Sequence, residues 1–204
     1  MSAEVVVPAE RLERWVGNFI ERHGDTRLDI VRGALAGAAA DGSTFAARAP
    51  FDRAVGHPAV ARLAAACTPP THWGVLLVRK GGFAVARMEG VRMVEHKVGQ
   101  RHVQGRTKAG GQSQQRFARR RDNQARAAYA AAAGHAARIL HGVSAVVVGG
   151  DPAAIEAVLA DPRLRRLGVV GHRLDVPDPR RAVLDGAVRE ACSARVSVRN
   201  ADDG

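Results

Sequence analysis

Three apolar runs joined by two tight glycine turns constrain this chain more than any other feature. Val75-Leu76-Leu77-Val78 is a short apolar run, and Lys80-Gly81-Gly82 after it is a turn signal. Phe83-Ala84-Val85-Ala86-Arg87-Met88 can return antiparallel, and Glu89-Gly90 marks a second turn. Val91 to Val98 then supplies a third strand by alternation. Runs this short, with turn residues at both ends, predict a three-stranded meander.

A strand–helix rhythm follows Gly142. Ser144 to Val148 reads as an apolar strand, Asp151-Pro152 as an N-cap with Pro at the first helical position, and Ala153 to Leu159 as a helix. Leu167 to Val170 leads a further strand that can extend to Val176, and Pro179 to about Ala194 reads as a last helix. Strands alternating with helices predict an α/β fold, with a mixed β-sheet flanked by helices. Ahead of the meander, Pro8 to His23 has helical spacing at Leu12, Trp15, Val16, Phe19 and Ile20, with Gly24 as its stop. Thr44 to Phe51 reads as a strand, and His57-Pro58 opens a short helix through Ala66.

With 204 residues and no internal repeat or low-complexity linker, one domain is expected: residues 1–72 pack as an N-terminal helix and strand segment on residues 73–195. Aromatics are 4%, so the core must be built mainly from Ala, Val and Leu. No apolar run reaches the ~20 residues that span a bilayer, and Met1-Ser2-Ala3-Glu4 does not open a secretory signal. Cys67 and Cys192 alone make neither a metal cluster nor a disulfide framework. A cytoplasmic protein without a membrane partner is expected.

The charge is unevenly placed. The net charge is +11, and between Lys97 and Arg126 nine cations face one anion, Asp122. Most charge runs are solvated helix faces of mixed sign. A run of one sign is the footprint of a polyanionic partner, nucleic acid above all.

Several chemistries lack their motifs. There is no G-x-x-x-x-G-K-[ST] and no H-E-x-x-H. Gly111-Gln112-Ser113-Gln114-Gln115 lacks the last glycine of a nucleophile elbow. Val148-Gly149-Gly150-Asp151 follows a strand and opens a helix, but without the dinucleotide glycine fingerprint it is a tight turn. No metal and no cofactor are expected.

The most informative stretch runs from Arg106 to Arg121. Gly99 to Gly111 is glycine-rich and reads as a loop, and about Ser113 to Leu140 reads as one long helix. Gly110-Gly111-Gln112 therefore stands at the end of a basic loop and the start of a basic helix. Two adjacent glycines bare the backbone and permit dihedrals closed to other residues. Gln112 adds an amide that donates and accepts but does not titrate, so it cannot be a general base. It can orient a water and donate to a departing oxygen. Arg116, Arg119, Arg120 and Asn123 follow at i, i+3, i+4 and i+7, on one helix face. An isolated Gly-Gly-Gln is commonly a glycine hinge with a polar neighbour.

Here the surrounding residues extend the motif. Gln112-Ser113-x-x-Arg116-Phe117-Ala118-Arg119-x-Arg121 after Gly110-Gly111, with Val94-Glu95-His96-Lys97 before it, resembles the central domain of eukaryotic and archaeal class I peptide-chain release factors. The resemblance runs from about Trp73 to Ala194 and includes the Val146-Val147-Val148-Gly149-Gly150 strand. In 204 residues, the codon-reading and GTPase-binding domains of full-length members are not expected. The chain is thus more similar to stand-alone, actinobacterial-type release-factor-like hydrolases related to the eukaryotic ribosome quality-control hydrolase. Arg119-Arg120-Arg121-Asp122-Asn123 is similar to a basic, Asn-containing helix found there.

The resemblance implies hydrolysis of the ester joining a nascent chain to the 3′-terminal adenosine of tRNA, independent of any codon, on stalled ribosomes or large subunits. Gln112 would act at the ester, with Gly110 and Gly111 letting the loop fit. Arg106, Lys108, Arg116, Arg119 and Arg120 would contact phosphates of tRNA or ribosomal RNA. The implied partners are peptidyl-tRNA and the large ribosomal subunit with its RNA, and the protein is expected to act as a monomer. Gln114 and Gln115 stay open as alternatives to Gln112. Two other functions stay open: a non-catalytic ribosome- or tRNA-binding rescue factor, and a tRNA 3′-end nuclease.

Overall fold

The structure, a computed structural model, describes the backbone of residues 3–100 and 112–201, with side chains throughout except at 100 and 112–125. In chain order the strands are β1 (Ala3–Val7), β2 (Thr26–Val31), β3 (Ala34–Ala39), β4 (Thr44–Arg48), β5 (His72–Arg79), β6 (Gly82–Glu89), β7 (Arg92–Gln100), β8 (Ala145–Gly150), β9 (Gly168–Val169) and β10 (Ala194–Arg199). The helices are α1 (Leu12–His23), α2 (Val60–Ala66), α3 (Gln112–Ile139), α4 (Pro152–Leu159) and α5 (Arg181–Ala191). The fold is mixed α/β. The sequence places the whole chain in one domain; its contacts divide it into two compact units, Met1–Pro69 with Arg189–Gly204, and Pro70–Val188. The division at Pro69 lies close to the expected border at 72, but each unit has its own sheet and its own core.

The first unit is an antiparallel sheet of order β1-β10-β4-β3-β2. The helix expected over Pro8–His23 forms as a 3-10 turn, Ala9–Arg11, followed by α1. Leu12, Val16 and Phe19 are its buried stripe. Gly24, at φ 85°, ends it, and its N–H donates to the Ile20 carbonyl at 2.8 Å. Three of the few aromatics meet here: the Trp15 and Phe19 rings lie 5.3 and 5.0 Å from the Phe45 ring, both edge-on. Gly37 on β3 makes room for Phe45, because a Cβ there would stand 2.1 Å from the ring.

Two readings of this unit are corrected. The last helix was expected to reach Ala194; it ends at Ala191, and Ala194 starts β10, which pairs with β1 and β4. The strand expected over Thr44–Phe51 stops at Arg48, and Phe51 takes φ 58°, outside any strand.

The second unit is a mixed sheet of order β7-β6-β5-β8-β9. The expected meander is β5, β6 and β7, paired antiparallel, and β8 and β9 join it parallel. Trp73 through Val78 are buried at 0–1% exposure, so β5 is covered on both faces. One face, with Leu76, Val78, Phe83 and Val85, packs on α3 and α4 through Ala132, Ala136, Ile139 and Ile155. On the other face His96, in register with Ala86 and Val75, meets the start of α5, where Arg181 Nη1 lies 2.8 Å from its Nε2. The Asp151 cap forms as expected, its carboxylate accepting from Ala153 N at 3.1 Å. β9 is shorter than Leu167–Val176. Beyond it Val170 N still donates to the Val146 carbonyl at 3.0 Å, and the chain returns to β8 at Leu174, which bridges Gly149.

Candidate functional site

The two segments that bracket the glycine loop are the strand β7 and the helix α3. β7 runs out antiparallel to β6 until Gln100 stands opposite Gly82. The expected loop over Gly99–Gly111 therefore begins later, because Gly99 and Gln100 still belong to the ladder. Gly99 is needed there: a Cβ would lie 2.3 Å from the Phe83 ring packed under the strand. Arg106, Lys108, Gly110 and Gly111 lie outside the described residues.

α3 is described from Gln112 and continues unbroken for 28 residues to Ile139. Arg116, Arg119, Arg120 and Asn123 fall within the helical backbone, so their i, i+3, i+4, i+7 spacing places these positions on one strip. Their side chains, and those of Gln112, Gln114 and Gln115, lie outside those described.

The other end of α3 anchors it. Ala132, Ala133, Ala136 and Ile139 are buried against the sheet. His135 stacks on Phe83 with centroids 5.5 Å apart. Arg138 donates to Glu95 on β7, which also faces Arg87 Nη2 at 3.8 Å. Arg126 and Ala127 are already exposed. Gln112 precedes Ala132, the first buried residue among those of α3 whose side chains are described, by twenty positions, which at 1.5 Å per residue is about 30 Å of helix. Glu95 stands in the Val94-Glu95-His96-Lys97 segment, but its pairing with Arg138 was not read from the sequence. The two lie 43 residues apart with no local pattern linking them.

Between α3 and the sheet there is a cavity of about 280 Å³ lined by Val78, Arg79, Phe83, Gly99 and Tyr129, among others. Burial first, and then the Asp151 carboxylate, push the Tyr129 phenol above its ordinary range. Among the described residues no three His, Cys, Asp or Glu come together as a metal site. Among them no helix is long and apolar enough to cross a membrane.

The two units divide the charge completely. The second has twenty Lys and Arg against nine Asp and Glu; the first has eleven of each. The net +11 therefore belongs to the unit that carries α3 and the glycine loop.

Residues 71–197 match the family model described as Actinobacteria/chloroflexi VLRF1 release factor. The chain belongs to this family. The VLRF1 match begins within one residue of β5 and takes in the whole mixed sheet, α3, α4 and α5, ending inside β10. It agrees with the extent of the resemblance drawn from the motif block, about Trp73 to Ala194, and gives this VLRF1 chain a release-factor-like character. Residues 1–70, which supply most of the first unit, lie outside the match. A comparison with curated proteins found no match.

Proposed function

We propose that this VLRF1 protein is a codon-independent peptidyl-tRNA hydrolase that frees nascent chains from tRNA on stalled ribosomes or large subunits in the cytoplasm. The observation that carries the reading is that Gln112, which directly follows Gly110-Gly111 in the sequence, belongs to a helix whose described buried residues begin about 30 Å further along. That helix lies in the unit that holds all of the net positive charge. A long helix of this kind suits delivery of a small tip into a site built by another molecule.

In the proposed reaction water attacks the ester carbonyl. The bond from that carbon to the 3′ oxygen of the terminal adenosine breaks, and the water proton passes to the leaving oxygen. The products are a free peptide carboxylic acid and deacylated tRNA. Gln112 is uncharged and takes no proton; its side-chain amide restrains the water, and its backbone N–H donates to the departing oxygen. The rate gain comes from orientation and preorganised donors. Gly110 and Gly111 keep the tip bare. Arg106, Lys108, Arg116, Arg119 and Arg120 hold phosphates of tRNA or ribosomal RNA, which fixes position without reading sequence. The protein works as a monomer, with no cofactor.

The test is incubation of the protein with stalled ribosome–nascent-chain complexes, followed by gels for the tRNA-linked peptide and the tRNA 3′ end. Free peptide and an intact 3′ end are expected. Free peptide on a shortened tRNA would identify a nuclease instead.

A further inference from the structure

The sheet of the first unit has one covered face and one bare face. Alternation sends Val7, Leu35, Phe45, Ala47 and Val196 into the core. The residues between them form the other face. Its middle is a floor of small side chains in direct register: Ala36 pairs with Ala46, Ala46 with Ser197, and Ala38 with Thr44. Nothing larger than threonine stands on this floor.

Arginines stand at its corners, while Asp29, in register with Ala36, and Glu4, in register with Ser197, bound its central row. Arg27 pairs with Ala38 on one side, and Arg199 pairs with Thr44 on the other. Four residues along β4, Arg48 stands directly opposite Arg195, a like-charge pairing that costs the sheet stability. Arg195 is ion-paired to Glu4. Arg27, Arg48 and Arg199 are exposed, and among the described residues none is held by an ion pair or a side-chain hydrogen bond. The rest of the unit does not look like this. Around α1, Arg11, Arg14 and Arg22 alternate with Glu10, Glu13 and Glu21, the mixed-sign pattern of a solvated helix.

We propose that this bare face is a second nucleic-acid contact surface, on which Arg27, Arg48 and Arg199 take the phosphates of a duplex RNA. Strand spacing of about 4.8 Å and a rise of about 3.4 Å per residue put the three arginine positions about 14–17 Å apart. Neighbouring phosphates of one strand are far closer than that, so the three reach phosphates on different strands or well separated along one. The small floor lets a backbone approach. The face carries no aromatic side chain on which single-stranded bases could stack. Recognition is by charge and shape, without sequence. The proposal rests only on the RNA-directed half of the function above, not on its ester chemistry.

The test measures binding of the full chain to an RNA duplex of about 20 base pairs across a salt series, with Gln112 intact. The variant R27A/R48A/R199A is compared with R11A/R14A/R22A, which removes the same charge from the α1 side. The sheet variant is expected to bind about tenfold more weakly at low salt, with a salt slope lower by about two to three, and the α1 variant to stay near wild type. R27K/R48K/R199K keeps the charge on the same exposed positions and is expected to retain most of the binding. Equal affinities and slopes for the two alanine variants would overturn the proposal, and would leave the face to an acidic protein partner. Gln112→Ala reads peptide release alone, so failure of either reading is seen separately.

Discussion

Arg138 near the end of α3 donates to Glu95 in the middle of β7, and so joins the segment that enters the glycine loop to the segment that leaves it. Glu95 lies between two guanidinium groups, since Arg87 Nη2 stands 3.8 Å from its other oxygen. The Arg138 side chain is 60% exposed, which keeps the energy small. Glu95→Gln is expected to cost about 0.2–1 kcal/mol, with Arg138→Ala costing no more. Urea unfolding at low and high salt checks this: the midpoint should drop for Glu95→Gln at low salt, and the gap should narrow in 1 M salt. A gap independent of salt would mean that the pair acts through packing.

Gly99 sets how closely the end of β7 crosses Phe83. A methyl group at this position would lie 2.3 Å from the ring, so either ring or strand must move. Gly99→Ala is expected to destabilise by about 1–3 kcal/mol, the usual cost of overpacking. Phe83→Leu in the same chain should recover part of that loss, which a double-mutant cycle in thermal unfolding would read as coupling. Strict additivity would show that the backbone yields elsewhere.

The legible parts of this fold were those specified by nearby residues. Gly81-Gly82 and Glu89-Gly90 fixed two turns and with them the meander, and Asp151-Pro152 fixed the start of α4. The parts that escaped depend on distant partners. Ala34–Ala39 is a run of Ala, Leu and Gly with no strand propensity, held extended by β2 and β4 and by the Phe45 ring against Gly37. Arg195, Val196, Ser197 and Val198 alternate like a strand, but they follow a helix, and their pairing partners lie at Ala3–Val6 and Phe45–Arg48. In the candidate site, the Gly-Gly-Gln motif and its arginines are contiguous in sequence, and Arg106, Lys108, Gly110 and Gly111 lie outside the described residues. The Glu95–Arg138 pair that ties down their support spans the loop itself and leaves no sequence pattern.

Burial pushes the Cys67 thiol up to about 11, against the lowering charge of Arg53. Burial and then the neighbouring Cys67 push Cys192 to about 11 as well. A thiol near its ordinary 9.0 in the unfolded chain loses its proton first there. The unfolded state is therefore favoured as pH climbs past about 9, and the stability these thiols contribute below that pH fades towards 11. The urea midpoint of the first unit should fall between pH 8.5 and 10.5, and less steeply in Cys67→Ala. An identical pH slope in that variant would assign the fall to other groups.

Arg119 and Arg120 occupy adjacent positions on the strip of α3 read as phosphate-binding. Charge reversal at both should weaken binding to ribosomes or tRNA and lower the salt slope by roughly two or more. Sedimentation with ribosomes over a salt series measures it. Unchanged affinity would place the RNA contacts of the second unit off this strip.

The most direct measurement is the single-turnover rate of peptide release from stalled ribosome–nascent-chain complexes, wild type against Gln112→Ala, with ribosome binding measured on the same samples. The expected result is a rate lower by about 10² or more with binding nearly unchanged, the size associated with losing an orienting donor at a reacting centre. Release by Gln112→Ala at the wild-type rate would contradict the hydrolytic role of the Gly-Gly-Gln tip.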